Sequence, residues 1–167
     1  MQVNNVANLN KNDDLRGSRV FLRLDLNVPL DGAKVTDQTR IIESLPTLRY
    51  LIESGCKLAV ASHLGRPKGK ADKKYSLEPV GAILAELLNV EIAFVNDIMQ
   101  EPLAYMLDRL APGQILLLEN LRFHPGEEEN KRSFAEHFAE GIDYFVNDAF
   151  GTMHRAHAST VGIPEIL

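Results

Sequence analysis

The sequence holds a single cysteine, Cys56, among 167 residues. That excludes an intramolecular disulfide framework and any metal cage built from several cysteines. No stretch approaches the roughly 18 uninterrupted apolar residues that a membrane span requires. The opening residues, MQVNNVANLNKNDD, carry neither a basic start nor an apolar run, so no secretory signal is expected. A basic excess is missing too: 18 Lys+Arg stand against 23 Asp+Glu, a formal net charge of −5. General nucleic-acid binding relies on a basic face that neutralises phosphates, and this balance argues against it. Nucleotide loops of recognised type are also lacking. No G-x-G-x-x-G opens a helix, and beside Gly69-Lys70 the Walker pattern fails, because Leu64 and Ala71 stand where it needs Gly and Ser or Thr. A soluble, cytoplasmic protein is expected.

What is present suits one domain with a full core, since 45% of the residues are hydrophobic. Five short apolar runs read as strands: Arg19–Leu26, Lys57–Ser62, Glu91–Val95, Gln114–Glu119 and Asp143–Asp148. Most are continuous rather than alternating, as in strands covered on both faces. Helical spacing falls between them, over Thr36–Glu53, Leu77–Leu88, Gln100–Leu110 and Asn130–Glu140. Ser76 is expected to cap the second, and Pro46 to kink the first. The alternation predicts a three-layer α/β/α, Rossmann-like domain with a mainly parallel sheet. Right-handed crossovers then put all strand carboxyl ends on one edge, where such folds bind ligands.

The residues that follow the strands are therefore the informative ones. Asp25 and Asn27 follow the first, Ser62-His63-Leu64-Gly65-Arg66-Pro67 the second, and Glu119-Asn120-Leu121-Arg122-Phe123 the fourth. After the fifth come Asn147 to Gly151 and then His154-Arg155-Ala156-His157. Arg66, Arg122, Arg155 and His63 thus reach one rim, with Arg40 nearby in the first turn of a helix. Arginine recognises phosphate and carboxylate through a planar fork of donors, and several together are costly unless an anion joins them. A small substrate with two or more negative charges is expected. Glu127–Glu129 reads as a solvated run that favours the start of the next helix. His154 and His157 have metal-like spacing but no third ligand, so no metal site is expected. Cys56 reads as an inert small hydrophobe.

The motifs Arg23-Leu24-Asp25-Leu26-Asn27-Val28-Pro29, Val35-Thr36 to Arg40-Ile41, Ser62 to Pro67, Tyr75 to Val80, Glu119 to Phe123, and Asn147 to Gly151 running into His154-Arg155-Ala156-His157-Ala158-Ser159 closely resemble phosphoglycerate kinase. The resemblance runs from about Arg19 to Thr160, in the family's order. It implies the N-terminal, 3-phosphoglycerate-binding domain of a two-domain kinase, spanning residues 1–167, without the C-terminal nucleotide-binding domain. It implies transfer of a phosphoryl group between 1,3-bisphosphoglycerate and ADP, giving 3-phosphoglycerate and ATP. By resemblance, Arg66, Arg122 and Arg155 hold the 3-phosphate, while Asp25, Asn27 and His63 orient the hydroxyl and carboxyl end. Arg40 faces the transferring phosphoryl group as the catalytic residue, Arg23 belongs to the basic patch, and Leu26, Leu64 and Gly65 complete the substrate-binding set. Mg-ATP or Mg-ADP would serve the complete, monomeric enzyme from the other domain, with no nucleotide or metal held by this chain. The alternative is a module that binds a phosphorylated acid without chemistry. A flavodoxin-like or dinucleotide-binding redox domain fits the alternation but lacks the glycine fingerprint.

Overall fold

The computed structural model describes residues 15–152 and 155–167. The main sheet is formed by β1 (Arg19–Leu24), β4 (Lys57–Ala61), β5 (Ile92–Val95), β6 (Ile115–Leu118) and β7 (Tyr144–Asp148), in the order β5-β6-β4-β1-β7. Every neighbouring pair is parallel. A separate antiparallel ribbon pairs β2 (Leu30–Asp31) with β3 (Lys34–Val35). The helices are α1 (Thr39–Glu53), α2 (Glu78–Leu88), α3 (Leu103–Asp108), α4 (Pro125–Glu128), α5 (Arg132–Ala139) and α6 (Ile163–Ile166).

Alternation along each strand divides the core in two. Val20, Leu22 and Leu24 of β1, Leu58 and Val60 of β4, and Ile115 and Leu117 of β6 pack with Ile41, Leu48 and Leu51 of α1 and Val80 and Leu84 of α2. Phe21, Ala59, Ala61, Leu116 and Leu118 point the other way, towards Leu103 and Leu107 of α3 and Phe134 and Phe138 of α5. Those are the three layers expected from the sequence, and both faces of the central strands are dry. Truncating one such leucine to alanine typically costs about 2–5 kcal/mol.

Two local expectations are refined. Helix α1 carries Pro46, the residue expected to kink it, inside one continuous helix, with Ile41 and Leu48 buried on either side of it. Ser76 does accept the Glu78 amide at 3.2 Å, but it also donates to Glu119 at 2.7 Å. The same carboxylate takes the Leu77 amide at 2.8 Å, so the start of α2 is tied to the end of β6. A carboxylate at a helix N-terminus is favoured by the helix dipole. The tie also fixes the loop that follows β6.

Candidate anion-binding site

An open cleft of about 230 Å³ lies beyond the carboxyl ends of the central strands, lined by Asp25, Asn27, Arg40, His63, Gly65, Arg66, Arg122, Gly151 and Arg155. Asp25 and Asn27 come from the end of β1, His63 to Arg66 from the end of β4, Arg122 from the turn after β6, and Arg155 from the segment after β7. The structure therefore brings together the rim residues expected from the sequence. Leu26 and Leu64 are the exceptions. Both side chains are buried in the α1/α2 core, because alternation beside Asp25 and Asn27 and beside His63 turns them inward. Only their backbone supports the rim: the Leu26 amide donates to Ser62 Oγ at 2.9 Å, and the Leu64 carbonyl accepts from Asn120 Nδ2 at 2.7 Å.

The cleft is held by a polar lattice of defined direction. Asp25 Oδ1 accepts from Arg40 Nη1 at 2.7 Å and from the Asn27 amide at 3.3 Å. Asn27 Oδ1 accepts the Gly65 amide at 2.8 Å, and the Gly65 carbonyl accepts from Arg122 Nη1 at 2.9 Å. Gly65 has a φ of +60°, and a Cβ there would lie 2.5 Å from the Tyr75 ring. Asn120, fully buried, also donates to the Tyr75 carbonyl at 2.9 Å and accepts the Arg122 amide at 3.1 Å. These loops are cross-braced before any ligand arrives.

Arg122 is only 3% exposed, and its Nε lies 3.5 Å from Glu128 Oε1. Burial pulls its pKa below the ordinary arginine value, Glu128 opposes the shift, and Arg155 and Arg66 reinforce it. Cations crowded together in this way raise the local attraction for an anion.

Arg23 lies beneath the rim at 0% exposure, and burial lowers its pKa from the ordinary value. Its Nε donates to Ser159 Oγ at 2.8 Å, its Nη1 to the Leu24 carbonyl, and its Nη2 approaches His63 Nδ1 at 3.1 Å. A guanidinium can only donate, so His63 Nδ1 must accept and the imidazole proton sits on Nε2. Burial, followed by the charges of Arg23, Arg122, His157 and Arg155, pushes the His63 pKa down to about 2. With Nδ1 accepting from Arg23, His63 is left with Nε2–H as its donor.

Glu127 departs most from the sequence reading. Instead of lying in a solvated run it is 0% exposed, while Glu128 and Glu129 remain on the surface. Its Oε1 accepts from Ser159 Oγ at 2.5 Å and its Oε2 accepts the Ser159 amide at 2.9 Å. Burial raises its pKa, opposed by Arg23 and by both Ser159 bonds. Sequence reasoning missed Ser159 as well, although it closes the last motif. His157 is buried with Nδ1 3.9 Å from Glu127 Oε1, and His154 lies outside the described residues. Among the described residues no group of three His, Cys, Asp or Glu side chains could hold a metal. Cys56 is buried away from the cleft, and burial raises its thiol pKa to about 11.

The arrangement suits a small polyanion that also carries a hydroxyl. Cations and neutral donors line it, and Asp25 supplies one acceptor.

The family model for phosphoglycerate kinase matches residues 10–167. The chain is 51% identical over 154 residues to the phosphoglycerate kinase of Leptospira biflexa, covering 92% of this chain and 39% of that protein. It is 52% identical over 155 residues to the cytosolic phosphoglycerate kinase of Triticum aestivum, covering 92% and 38%. Among solved structures, phosphoglycerate kinase from Coxiella burnetii superposes with a TM-score of 0.82 at 43% identity, covering 92% of this chain and 38% of that one. The Pyrococcus horikoshii enzyme gives 0.81 at 36% identity, covering 93% and 40%. The chain thus spans about two-fifths of the length of the relatives it matches.

Proposed function

This chain belongs to the phosphoglycerate kinase family, and from that premise we propose that it supplies the 3-phosphoglycerate site of a two-domain kinase. The complete enzyme would move a phosphoryl group reversibly between 1,3-bisphosphoglycerate and ADP, with 3-phosphoglycerate and ATP as the other pair. The observation that carries this reading is the cleft itself, in which Arg40, Arg66, Arg122 and Arg155 converge on about 230 Å³ together with one aspartate.

The roles that the family resemblance implies fit the local chemistry. Arg122 and Arg155, joined by the exposed Arg66, bind the 3-phosphate through charge-assisted hydrogen bonds. Asn27 Oδ1 is engaged by Gly65, so its amide nitrogen is what it offers to a ligand. Asp25 is an acceptor among cations and suits the substrate hydroxyl rather than its anionic groups. His63 donates through Nε2–H, because its Nδ1 already accepts from Arg23. The attacking group is a carboxylate, which needs no general base. Arg40, anchored by Asp25, directs its remaining donors at the charge that develops on the transferring phosphoryl group.

The described residues do not suit magnesium, since carboxylates are sparse in a cationic cleft. The nucleotide and its metal would be held by the remaining length of the family proteins. Calorimetric titration with 3-phosphoglycerate, followed by magnesium-ATP, tests the reading. Saturable 3-phosphoglycerate binding that weakens with salt is expected. Tight ATP binding with no response to 3-phosphoglycerate would refute it.

A further inference from the structure

Glu127 and Ser159 lie behind the cleft and do not line it, yet every hydrogen bond between them and His63 has a direction that chemistry dictates. Arg23 Nε can only donate, so Ser159 Oγ accepts from it at 2.8 Å. The single hydroxyl proton of Ser159 is then free to go to Glu127 Oε1, at 2.5 Å. The Ser159 amide donates to Oε2 at 2.9 Å, so both Glu127 oxygens act as acceptors, as a carboxylate requires. At the other end, Arg23 Nη2 donates to His63 Nδ1. We propose that Glu127 is a positioning residue, which through Ser159 locks Arg23 in place and so holds His63 in the Nε2–H form facing the anion cleft.

The physical reason is that each link is poor without the next. A buried guanidinium needs a negative partner and filled hydrogen bonds, or it turns towards water. Glu127 supplies the charge without touching Arg23, and Ser159 converts that charge into an acceptor aimed at Nε. If Arg23 moved, His63 Nδ1 would lose its donor, and either ring nitrogen could then carry the proton. A histidine that presents a lone pair to the cleft would repel an anion that it otherwise binds. Glu127 thereby sets the sign of a contact in which it takes no part.

The inference rests on the proposed function for its ligand but not for its first measurement. Nitrogen-correlated NMR of the ligand-free chain should show His63 as the Nε2–H tautomer, and carbon NMR should show Glu127 as a carboxylate at neutral pH. An Nδ1–H tautomer or a protonated Glu127 in the unaltered chain overturns the proposal, whether or not any variant folds. Glu127→Gln and Ser159→Ala should each give a tautomer mixture at His63 and about a tenfold loss of 3-phosphoglycerate affinity. Leu51→Ala, in the α1/α2 core cluster on the other face of the sheet, should lower the melting temperature without moving the tautomer. A folded Glu127→Gln or Ser159→Ala chain with an unchanged His63 signature also overturns it. If the unaltered chain shows the tautomer but does not bind 3-phosphoglycerate, the functional reading fails and the relay stands.

Discussion

Arg40 Nη1 and Asp25 Oδ1 meet at 2.7 Å at the mouth of the cleft, with side-chain exposures of 47% and 18%. A pair this open adds at most about 1 kcal/mol to stability. Its effect is orientation: the aspartate at the end of β1 points a helix-borne arginine across the rim. The deeper arginine, Arg122, is instead held by the Gly65 carbonyl and is ready for ground-state contact.

The arginines should separate accordingly. Arg122→Ala or Arg155→Ala should lower 3-phosphoglycerate affinity at least tenfold, since a charge-assisted bond is worth about 1.5–3 kcal/mol. Arg40→Ala should reduce affinity less and act on turnover in a two-domain enzyme, because its charge serves the transition state. Calorimetry of the three variants decides. Equal losses would contradict the division of roles.

Gly65→Ala should damage both the loop and the site. The residue has a φ of +60°, and its new Cβ would lie 2.5 Å from the Tyr75 ring. Left-handed backbone costs a non-glycine residue about 1–2 kcal/mol, before the ring is displaced. Asn27 and Arg122 both bond to Gly65, so affinity should fall together with the denaturation midpoint. Unchanged affinity would show that the brace has no bearing on the cleft.

Acid should destabilise the chain partly through His63. Its pKa falls from the ordinary value of about 6.5 to about 2 on folding. Below pH 6.5 the unfolded chain therefore binds the extra proton, and stability drops as pH falls towards the folded value. The contribution approaches about 1.4 kcal/mol per pH unit for one such group. Urea melts of His63→Gln between pH 4 and 7 should show a shallower acid slope than the unaltered chain. Parallel slopes would mean that His63 protonates readily in the fold.

A polypeptide of these 167 residues should bind 3-phosphoglycerate yet turn over very slowly by itself. In-line transfer needs both reacting oxygens held near contact, a positioning effect worth about 7–11 kcal/mol of barrier. Supplying the remaining portion of a family enzyme as a second polypeptide should restore some transfer, and Arg40→Ala should abolish the gain. Turnover near that of an intact enzyme from the 167 residues alone would refute this.

The strands, the layers and most of the rim were legible without coordinates. Continuous apolar runs such as RVFLRL and QILLLE leave little choice but strands covered on both faces. The residues that follow them are then placed on one edge by the handedness of the crossovers. Composition and spacing also ruled out a Walker loop and a disulfide scaffold. Period-two geometry turns the Leu26 and Leu64 side chains inward and leaves their backbone beside the motif residues at the rim.

Glu127 was decided by the tertiary structure alone. In a row of three glutamates nothing local separates the one that is buried from the two that are solvated. What separates them is Arg23, which arrives on the interior strand β1, and Ser159, which arrives after β7 and lies within hydrogen-bond reach of both. A carboxylate can leave water only where an opposite charge and filled hydrogen bonds await it. Those partners come from opposite ends of the chain, so only the folded sheet brings them to Glu127.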